Sequence, residues 1–445
     1  MSTPVNDFID SYISSGASRF HMPGHKGACK LGIEQRDITE ISGADYLYDA
    51  QGIIGQSEQQ MSRAFGSAKT LFSTEGSSQC IKTMLGIMRL TSEKQRLSVL
   101  APRNVHKAFI DACILLDMDI VWLYPETPGE SICCCDITPK QIKQALDGNK
   151  DIDCCYVTSP DYIGNIADIK SISQICKAEG VPLLVDNAHG AYLGSLNENI
   201  HPIALGADIC CDSAHKTLPC LTGGALVHIS KQAPKEFLDR AKTVMSMFGS
   251  TSPSYLILQS LDICSDMLAS GEFRQKLSQT VCALDKCKQR LAALGWKLCG
   301  DEQLKLSVRA SECGYSGDEL ANGLRKLGIE PEYSDSEYVV LMAGIYNTRN
   351  DFDRLVSAFE KIPVKQALRR EIVPLCQTKS VMSVRQAAFS RYRTVSVDDA
   401  LGKICAMTVT ACQPSVPVAV SGEVISQQII KILKRYSIFE INVVY

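Results

Sequence analysis

Short apolar runs that end in polar residues alternate with helical patterns between about residues 70 and 230. The runs are continuous rather than alternating, which is typical of strands buried on both faces of a parallel sheet. They are RLSVLAP (96–102), CCYVTSP (154–160), VPLLVDNAH (181–189) and ADICCDSAH (207–215). One intervening segment places four apolar residues on a single helical face: Ile81, Met84, Leu85 and Met88. The alternation predicts an α/β domain whose ligands gather at the carboxyl ends of its strands.

Beyond residue 255 the pattern changes to that of a long helix and then to a mixture of strands and helices. QLKLSVRA and EYVVLMA read as strands, and the helix SGDELANGLRKLG has Ser316 as N-cap with Glu319 in capping-box position. RNDFDRLVSAFEKI is amphipathic. The last segment carries a capped helix start at Ser396 and an amphipathic helix at 424–435. These patterns predict smaller α+β domains on the C-terminal side of the large α/β domain.

The same patterns predict that the chain is divided into four parts. They are an N-terminal arm (1–45), a large α/β domain (46–290), a small α+β domain (291–364) and a C-terminal domain (365–445).

Composition narrows the class of protein. Of the 445 residues, 45% are hydrophobic and 21% are charged, as in an ordinary globular enzyme. A net charge of −3 supplies no basic field, so we expect no nucleic-acid partner. No run of 18 apolar residues and no signal-peptide pattern occurs, so we expect a cytoplasmic protein without a membrane partner. The 20 cysteines include no C-x-x-C spacing, so we expect no metal site and interpret them as small apolar residues.

Two polar strand ends carry the candidate chemistry. Asp186 ends one apolar run and Lys216 follows the next, so neighbouring parallel strands would bring both residues to one edge of the sheet. This pair suits pyridoxal 5′-phosphate, because a lysine forms a Schiff base with its aldehyde and a carboxylate keeps its ring nitrogen protonated. Taken alone, Lys216 is typical of a surface lysine and Asp186 of a turn.

A phosphate cradle and a stacking partner are also present in the sequence. Gly76, Ser77 and Ser78 precede an amphipathic helix whose N-terminus favours negative charge, and Ser213 is a further candidate donor. His106 follows a strand end and could stack on the cofactor ring, while the small Ala188 could pack on the other face. A lone GSS is more often an N-cap, so the order of all these pieces is what favours the cofactor.

The motifs that carry these residues resemble the ornithine/lysine/arginine decarboxylase family of fold-type I (aspartate aminotransferase-like) PLP-dependent enzymes. The resemblance rests on RFHMPGHKG (19–27), GSS (76–78), RNVHKA (103–108), TSPDYIGNIADI (158–169), VDNAHGAYLG (185–194), SAHKTLPCLTGGA (213–225) and TSPSYLILQSLD (251–262). It implies a large domain with a mixed, mostly parallel sheet, in the compact form that lacks an N-terminal wing domain.

The resemblance also implies roles for individual residues. His215 would neighbour the Schiff-base Lys216, and His189 would support the ring substituents. Thr251 or Ser252 would reach the phosphate of a neighbouring subunit, so a homodimer or a higher homo-oligomer is expected. His25 lies in a segment expected near the mouth of the active site.

The implied reaction is decarboxylation of an amino acid, of basic character (arginine, lysine or ornithine), to an amine and CO2. His215 or Lys216 would return the proton to Cα. Glu423 is a candidate for the distal contact of a basic substrate; the alternative is that it sits in the first turn of the helix 424–435. Segment 412–423 departs from the family pattern, so other readings stay open: an aminotransferase or lyase reaction, or a non-catalytic PLP-binding homologue.

Overall fold

A seven-stranded sheet is the largest element of the fold. The computed structural model describes residues 2–125, 132–134, 137–369, 375, 377–412 and 415–445, without the side chains of residues 412 and 415. The strands of the seven-stranded sheet are β1 (Lys69–Ser73), β2 (Ser98–Pro102), β3 (Asp119–Leu123), β4 (Cys154–Thr158), β5 (Leu183–Asp186), β6 (Ile209–Asp212) and β7 (Ala225–Ile229). Their order in the sheet is β1-β7-β6-β5-β4-β2-β3. The sheet is mixed and mostly parallel: β5 and β6 are parallel, whereas β7 is antiparallel to both of its neighbours.

Fifteen α-helices occur among the described residues. They are α1 (Pro4–Ser14), α2 (Ile53–Phe65), α3 (Gly76–Thr91), α4 (Lys107–Leu116), α5 (Pro139–Gly148), α6 (Ile169–Glu179), α7 (Pro202–Leu205), α8 (Ala214–Thr217), α9 (Lys235–Ser246), α10 (Tyr255–Ser270), α11 (Glu272–Ala293), α12 (Gly317–Lys326), α13 (Arg349–Lys361), α14 (Val384–Ala388) and α15 (Gln427–Arg435). None of those described is both long and apolar enough to cross a bilayer.

Three smaller sheets follow along the chain. One has four strands in the order β10-β11-β9-β8, built from β8 (Leu298–Cys299), β9 (Lys305–Arg309), β10 (Tyr333–Ser334) and β11 (Tyr338–Met342). The other two are antiparallel pairs. One pairs β12 (Tyr392–Ser396) with β15 (Glu440–Val444), and the other pairs β13 (Val409–Cys412) with β14 (Ser415–Ala419). Residues 413–414, within the divergent segment 412–423, lie outside the described residues.

The chain divides into two compact units. The first comprises Met1–Val99, Asp151–Val157 and Ile169–Gln275, and the second comprises Leu100–Lys150, Thr158–Asp168 and Lys276–Tyr445. The predicted four-part division stays a prediction. In the first unit, α3 packs so closely on α9 that a Cβ at Gly86 would lie 2.5 Å from a methyl carbon of Val244. In the second unit, one apolar cluster joins α12 and α13 to the four-stranded sheet, and another surrounds α15.

Most of the elements predicted from periodicity are confirmed. All four predicted strands of the large sheet form, and Ile81, Met84, Leu85 and Met88 are buried on α3. The capping box of Ser316 and Glu319 also forms, with both hydrogen bonds present.

Three expectations need correction. The long helix divides at Gly271, whose left-handed backbone (φ +81°) ends α10. Ser396 caps only a short 3₁₀ turn, Val397–Ala400, rather than an α-helix. The helix predicted at 424–435 begins later, at Gln427, because the hydroxyl of Ser426 accepts from the backbone N–H of Ile429 and sets the N-cap there.

Candidate active site

Asp186 is buried at the carboxyl end of β5. Strands β5 and β6 pair in parallel with Asp186 opposite Cys211, so the turns after both strands open at the same edge. The carboxylate is 2% exposed and accepts hydrogen bonds from the hydroxyl of Tyr156 (3.0 Å) and the backbone N–H of Ala188 (3.2 Å). These donors fix the orientation of the carboxylate.

Lys216 lies in the short helix α8, just beyond β6. Its Nζ is 3.0 Å from Nε2 of His189, a buried residue of the turn that also carries Asp186. The lysine itself is partly exposed. An amine that is held by an imidazole and still reachable is suited to condense with an aldehyde.

The N-terminus of α3 lies beside the turn that carries Lys216. The Oγ of Ser213 donates to the Oγ of Ser77 at 2.7 Å, and Ser78 follows on the first turn of the helix. Gly76 has a left-handed backbone (φ +70°), and a Cβ added there would meet nothing within 4 Å. The buried hydroxyl of Thr74 has no hydrogen-bond partner among the described residues. Open space, hydroxyls and helix amides together fit a phosphate group.

The tautomer of His215 follows from its contacts. Its Nδ1 lies 3.0 Å from the carbonyl oxygen of Gly224, and a carbonyl can only accept. Nδ1 therefore carries the proton of the neutral ring, and Nε2 is left as the basic nitrogen. Such a ring can take up and return a proton through Nε2.

His106 belongs to the second unit, where it caps α4. Its Nδ1 accepts from the backbone N–H of Ala108 at 3.0 Å, so Nε2 carries the proton of the neutral ring. The cap fixes the orientation of the imidazole relative to its own helix.

Glu423 is buried just before α15. It precedes the N-cap of α15 and therefore does not lie in the first turn of that helix. It is also fully buried, and its two carboxylate oxygens are held by Arg103 (2.6 and 3.1 Å), by Thr378 and by a backbone N–H. Its expected role as the distal contact of a basic substrate stays a prediction.

The remaining candidates lie in two other segments of the chain. Nε2 of His25 is 3.2 Å from a carboxylate oxygen of Asp37. Thr251 and Ser252 are exposed in the segment before α10. Their expected role across a subunit interface stays a prediction.

A buried polar cluster under the site was missed by the sequence reasoning. Asp212, the last residue of β6, accepts from Asn187 (2.7 Å), His201 (3.1 Å) and His228 (3.0 Å). Asn187 follows Asp186 directly, so the cluster connects the turns that follow β5 and β6. Asp212 directly precedes Ser213 in the run ADICCDSAH (207–215). Its histidine partners come from separate elements, and no local spacing in the sequence reveals them.

The protonation of this cluster follows from its contacts. Burial opposes the charge of Asp212, but the two imidazoles outweigh that penalty and hold the pKa of its carboxyl well below the usual range. Burial lowers the pKa of His228. His201, Cys210 and Asp212 are close enough together to hold a metal ion. However, Nδ1 of His201 accepts from the N–H of Ile203, so its Nε2 already carries a proton. Hydrogen bonding therefore accounts for the cluster.

The cysteines behave as small apolar residues. Each one whose side chain is described is a free thiol, and most of them are buried. Burial raises the pKa of the thiols of Cys80, Cys210 and Cys211, which keeps them protonated and unreactive.

Comparison with known proteins gives one consistent result. A family model described as "Orn/Lys/Arg decarboxylase, major domain" matches residues 3–305. The arginine decarboxylase of Bacillus subtilis (strain 168) is 30% identical, and the alignment covers 96% of this chain and 92% of that protein. The arginine decarboxylase of Halalkalibacterium halodurans is 27% identical, with coverage of 96% and 91%.

A solved structure supports the fold. The lysine decarboxylase of Francisella novicida superposes with a TM-score of 0.83 at 17% identity, covering 100% of this chain and 81% of that one. At that identity the likeness concerns the fold alone. The chain thus has the predicted architecture of the fold-type I PLP-dependent enzymes.

Proposed function

Because the chain belongs to the Orn/Lys/Arg decarboxylase family and is an amino acid decarboxylase, we propose that it removes CO2 from a basic amino acid with pyridoxal 5′-phosphate bound at Lys216. Enzymes of this family and its fold neighbours depend on that cofactor. The observation that carries the proposal is the meeting of Lys216, His189 and Asp186 at the carboxyl ends of β5 and β6, beside the Ser77–Ser213 pair.

Lys216 and Asp186 would divide the work on the cofactor. The Nζ of Lys216 would condense with the aldehyde, and the carboxylate of Asp186 would hold the proton on the ring nitrogen. Tyr156 keeps that carboxylate in place through its hydroxyl. Bound there, the cofactor would supply a ring that accepts the electrons left by departing carbon dioxide.

The phosphate would be bound at the start of α3. Ser77, Ser78 and Ser213 would donate through their hydroxyls, while the helix N-terminus attracts the negative charge. The open space at Gly76 leaves room for the group. The methyl of Ala188 would pack on one face of the ring.

Two histidines complete the proposed site. His106 would stack on the ring, with its orientation set by its cap on α4. His215 would return a proton to Cα through Nε2, since Nδ1 is engaged by the carbonyl of Gly224. Lys216 would be the other candidate for that proton transfer.

Arginine is the first substrate to test. The full-length relatives named above are arginine decarboxylases and align over more than nine-tenths of this chain. We therefore place arginine ahead of lysine and ornithine.

A subunit pair would complete each site. The exposed Thr251 and Ser252 do not contact the phosphate cradle of their own chain through any described hydrogen bond, and they would serve the cradle of a second copy.

The test is to trap the covalent link and to measure the product. Borohydride reduction of the holoprotein should leave a pyridoxyl label on Lys216, identified by peptide mass spectrometry. Incubation with arginine, lysine and ornithine in parallel should yield agmatine faster than cadaverine or putrescine. Lys216→Ala should lose both the label and the amine.

Controls separate this reaction from its rivals. Lys326→Ala, a surface change on α12, should keep both the label and the activity. A label on another residue would overturn the proposed site. Formation of a keto acid without CO2 would make the chain an aminotransferase. Cofactor uptake without any product would make it a non-catalytic homologue.

A further inference from the structure

Arg103 and Glu423 form a bidentate ion pair inside the second unit. Their side chains are 1% and 0% exposed, with Nη1–Oε1 and Nη2–Oε2 distances of 2.6 and 3.1 Å. The two residues are 320 positions apart in the chain. Arg103 follows β2 and lies three residues before His106, whereas Glu423 comes after β14 in the C-terminal region.

Side chains from two further segments enclose the pair. The guanidinium of Arg103 lies over the ring of Trp122 at 4.7 Å and near that of Tyr124 at 5.9 Å, on and just after β3. On the other side, the hydroxyl of Thr378 donates to Oε1 of Glu423 at 2.6 Å. The pair therefore joins four separate parts of the chain.

Net stability is a poor explanation for such a pair. Removing two charges from water costs several kcal/mol per ion, and attraction between them repays that cost only with good geometry. A buried, bidentate pair does fix the relative position of the segments that it joins. The role of the pair therefore depends on which residues these segments carry.

The segment on the Arg103 side carries His106. The carbonyl oxygen of Val105 accepts from the backbone N–H of Val416 on β14 at 3.2 Å, directly beside His106. Nη2 of Arg103 reaches the carbonyl oxygen of Val418 on the same strand at 3.3 Å. The histidine is thus held by β14 on its N-terminal side and by α4 on its C-terminal side.

We propose that the buried Arg103–Glu423 ion pair is a positioning device that, together with the C-terminal strand β14, fixes the loop that carries His106. The inference rests on the proposed function, because it needs His106 to stack on the ring. It gives the C-terminal region an effect on cofactor binding that does not pass through the substrate.

The test compares three variants of the pair. Glu423→Gln leaves a buried cation without its counter-charge and should both lower the melting temperature and weaken cofactor binding. Arg103→Met combined with Glu423→Gln removes both charges, so folding should largely recover. The cofactor dissociation constant of this double variant should still be on the order of 10-fold higher, with a changed circular dichroism band, since the loop is no longer held.

A matched control pair lies elsewhere in the same unit. Glu337 is largely buried and hydrogen-bonded to Arg435, and both residues are far from His106 in the sequence. Glu337→Gln should lower the melting temperature without changing the cofactor band. A His106→Ala change should also weaken cofactor binding. The triple variant, which combines His106→Ala with the double variant, should bind the cofactor no more weakly than His106→Ala alone.

The outcomes distinguish the two proposals. If the double variant binds the cofactor as tightly as the wild type, the positioning role is wrong. Additive effects of His106→Ala and the double variant would also overturn it. If the wild-type chain itself takes up no cofactor, the proposed function fails first, whatever the variants do.

Discussion

At the scale of single residues, Asp212 and His228 make folding depend on pH. Phe65 packs on His228, whose ring contacts Asp212 on one side and Thr70 on the other, with His201 and Cys210 nearby. The folded pKa of His228 lies below its ordinary value of 6.5. Below that pH the unfolded chain gains a proton that the folded chain does not, so stability falls as the pH falls.

We therefore predict that His228→Gln flattens the loss of stability between pH 6.5 and 5. The glutamine can still donate to Asp212 but does not titrate. The free energy of unfolding would be measured by urea titrations followed by circular dichroism. Its slope against pH should be shallower in the variant by up to about 1.4 kcal/mol per pH unit. Asp212 acts in the same direction at lower pH, because its folded pKa lies below that of the unfolded chain. Identical slopes in variant and wild type would show that His228 is protonated when folded.

Single residues also mark how far the sequence could predict the site. Asp186 and Lys216 were placed at one edge because neighbouring parallel strands share their carboxyl ends, a rule that needs only local patterns. The ion pair of Glu423 was not foreseen because its partner, Arg103, lies 320 residues away. Local spacing cannot reveal a pair that forms only after the chain has folded.

At the scale of elements, helix α12 offers two glycines in contrasting surroundings. A Cβ at Gly317 would lie 2.1 Å from the carbonyl oxygen of Tyr338 and 2.3 Å from that of Asp335. Both are backbone atoms that cannot move without disturbing β11 and the turn before it. A Cβ at Gly323 would meet only the methyl of Ile362, at 3.4 Å.

Gly317→Ala should accordingly destabilise the protein by about 3 kcal/mol, as overpacking against backbone does. Gly323→Ala should be neutral or stabilise by up to about 1 kcal/mol, since alanine is the better helix former. Thermal melts of both variants would measure the difference. Equal melting temperatures would mean that the start of α12 shifts to make room.

Elements were predicted best where one periodicity ran without interruption. Strands β5 and β6 and helix α3 appeared as expected, because each buries a continuous or one-sided apolar set. The division of the long helix at Gly271 was missed, since the apolar pattern continues on both sides of the glycine. The start of α15 was missed because Ser426 caps it more strongly than the residues before it.

At the scale of the whole molecule, the proposed site would be shared between the subunits of a homodimer. Lys216, Asp186 and the serine cradle come from one chain, whereas Thr251 and Ser252 would come from its partner. A change at Lys216 would then disable the site of its own chain, whereas a change at Thr251 and Ser252 would disable the site of the partner chain. Symmetric pairing makes this arrangement testable, because a mixed dimer contains one site built only from intact parts.

We predict that two inactive variants complement each other. Lys216→Ala and the double change Thr251→Ala with Ser252→Ala should each decarboxylate poorly alone. Co-expressed from equal gene doses, they form mixed dimers in half of the cases, each with one complete site, so activity should recover to about a quarter of the wild-type value. Combining all three changes in one chain and pairing it with Lys216→Ala is the control, because no mixed dimer then has a complete site. Activity in the first mixture no higher than in this control would place Thr251 and Ser252 outside the site.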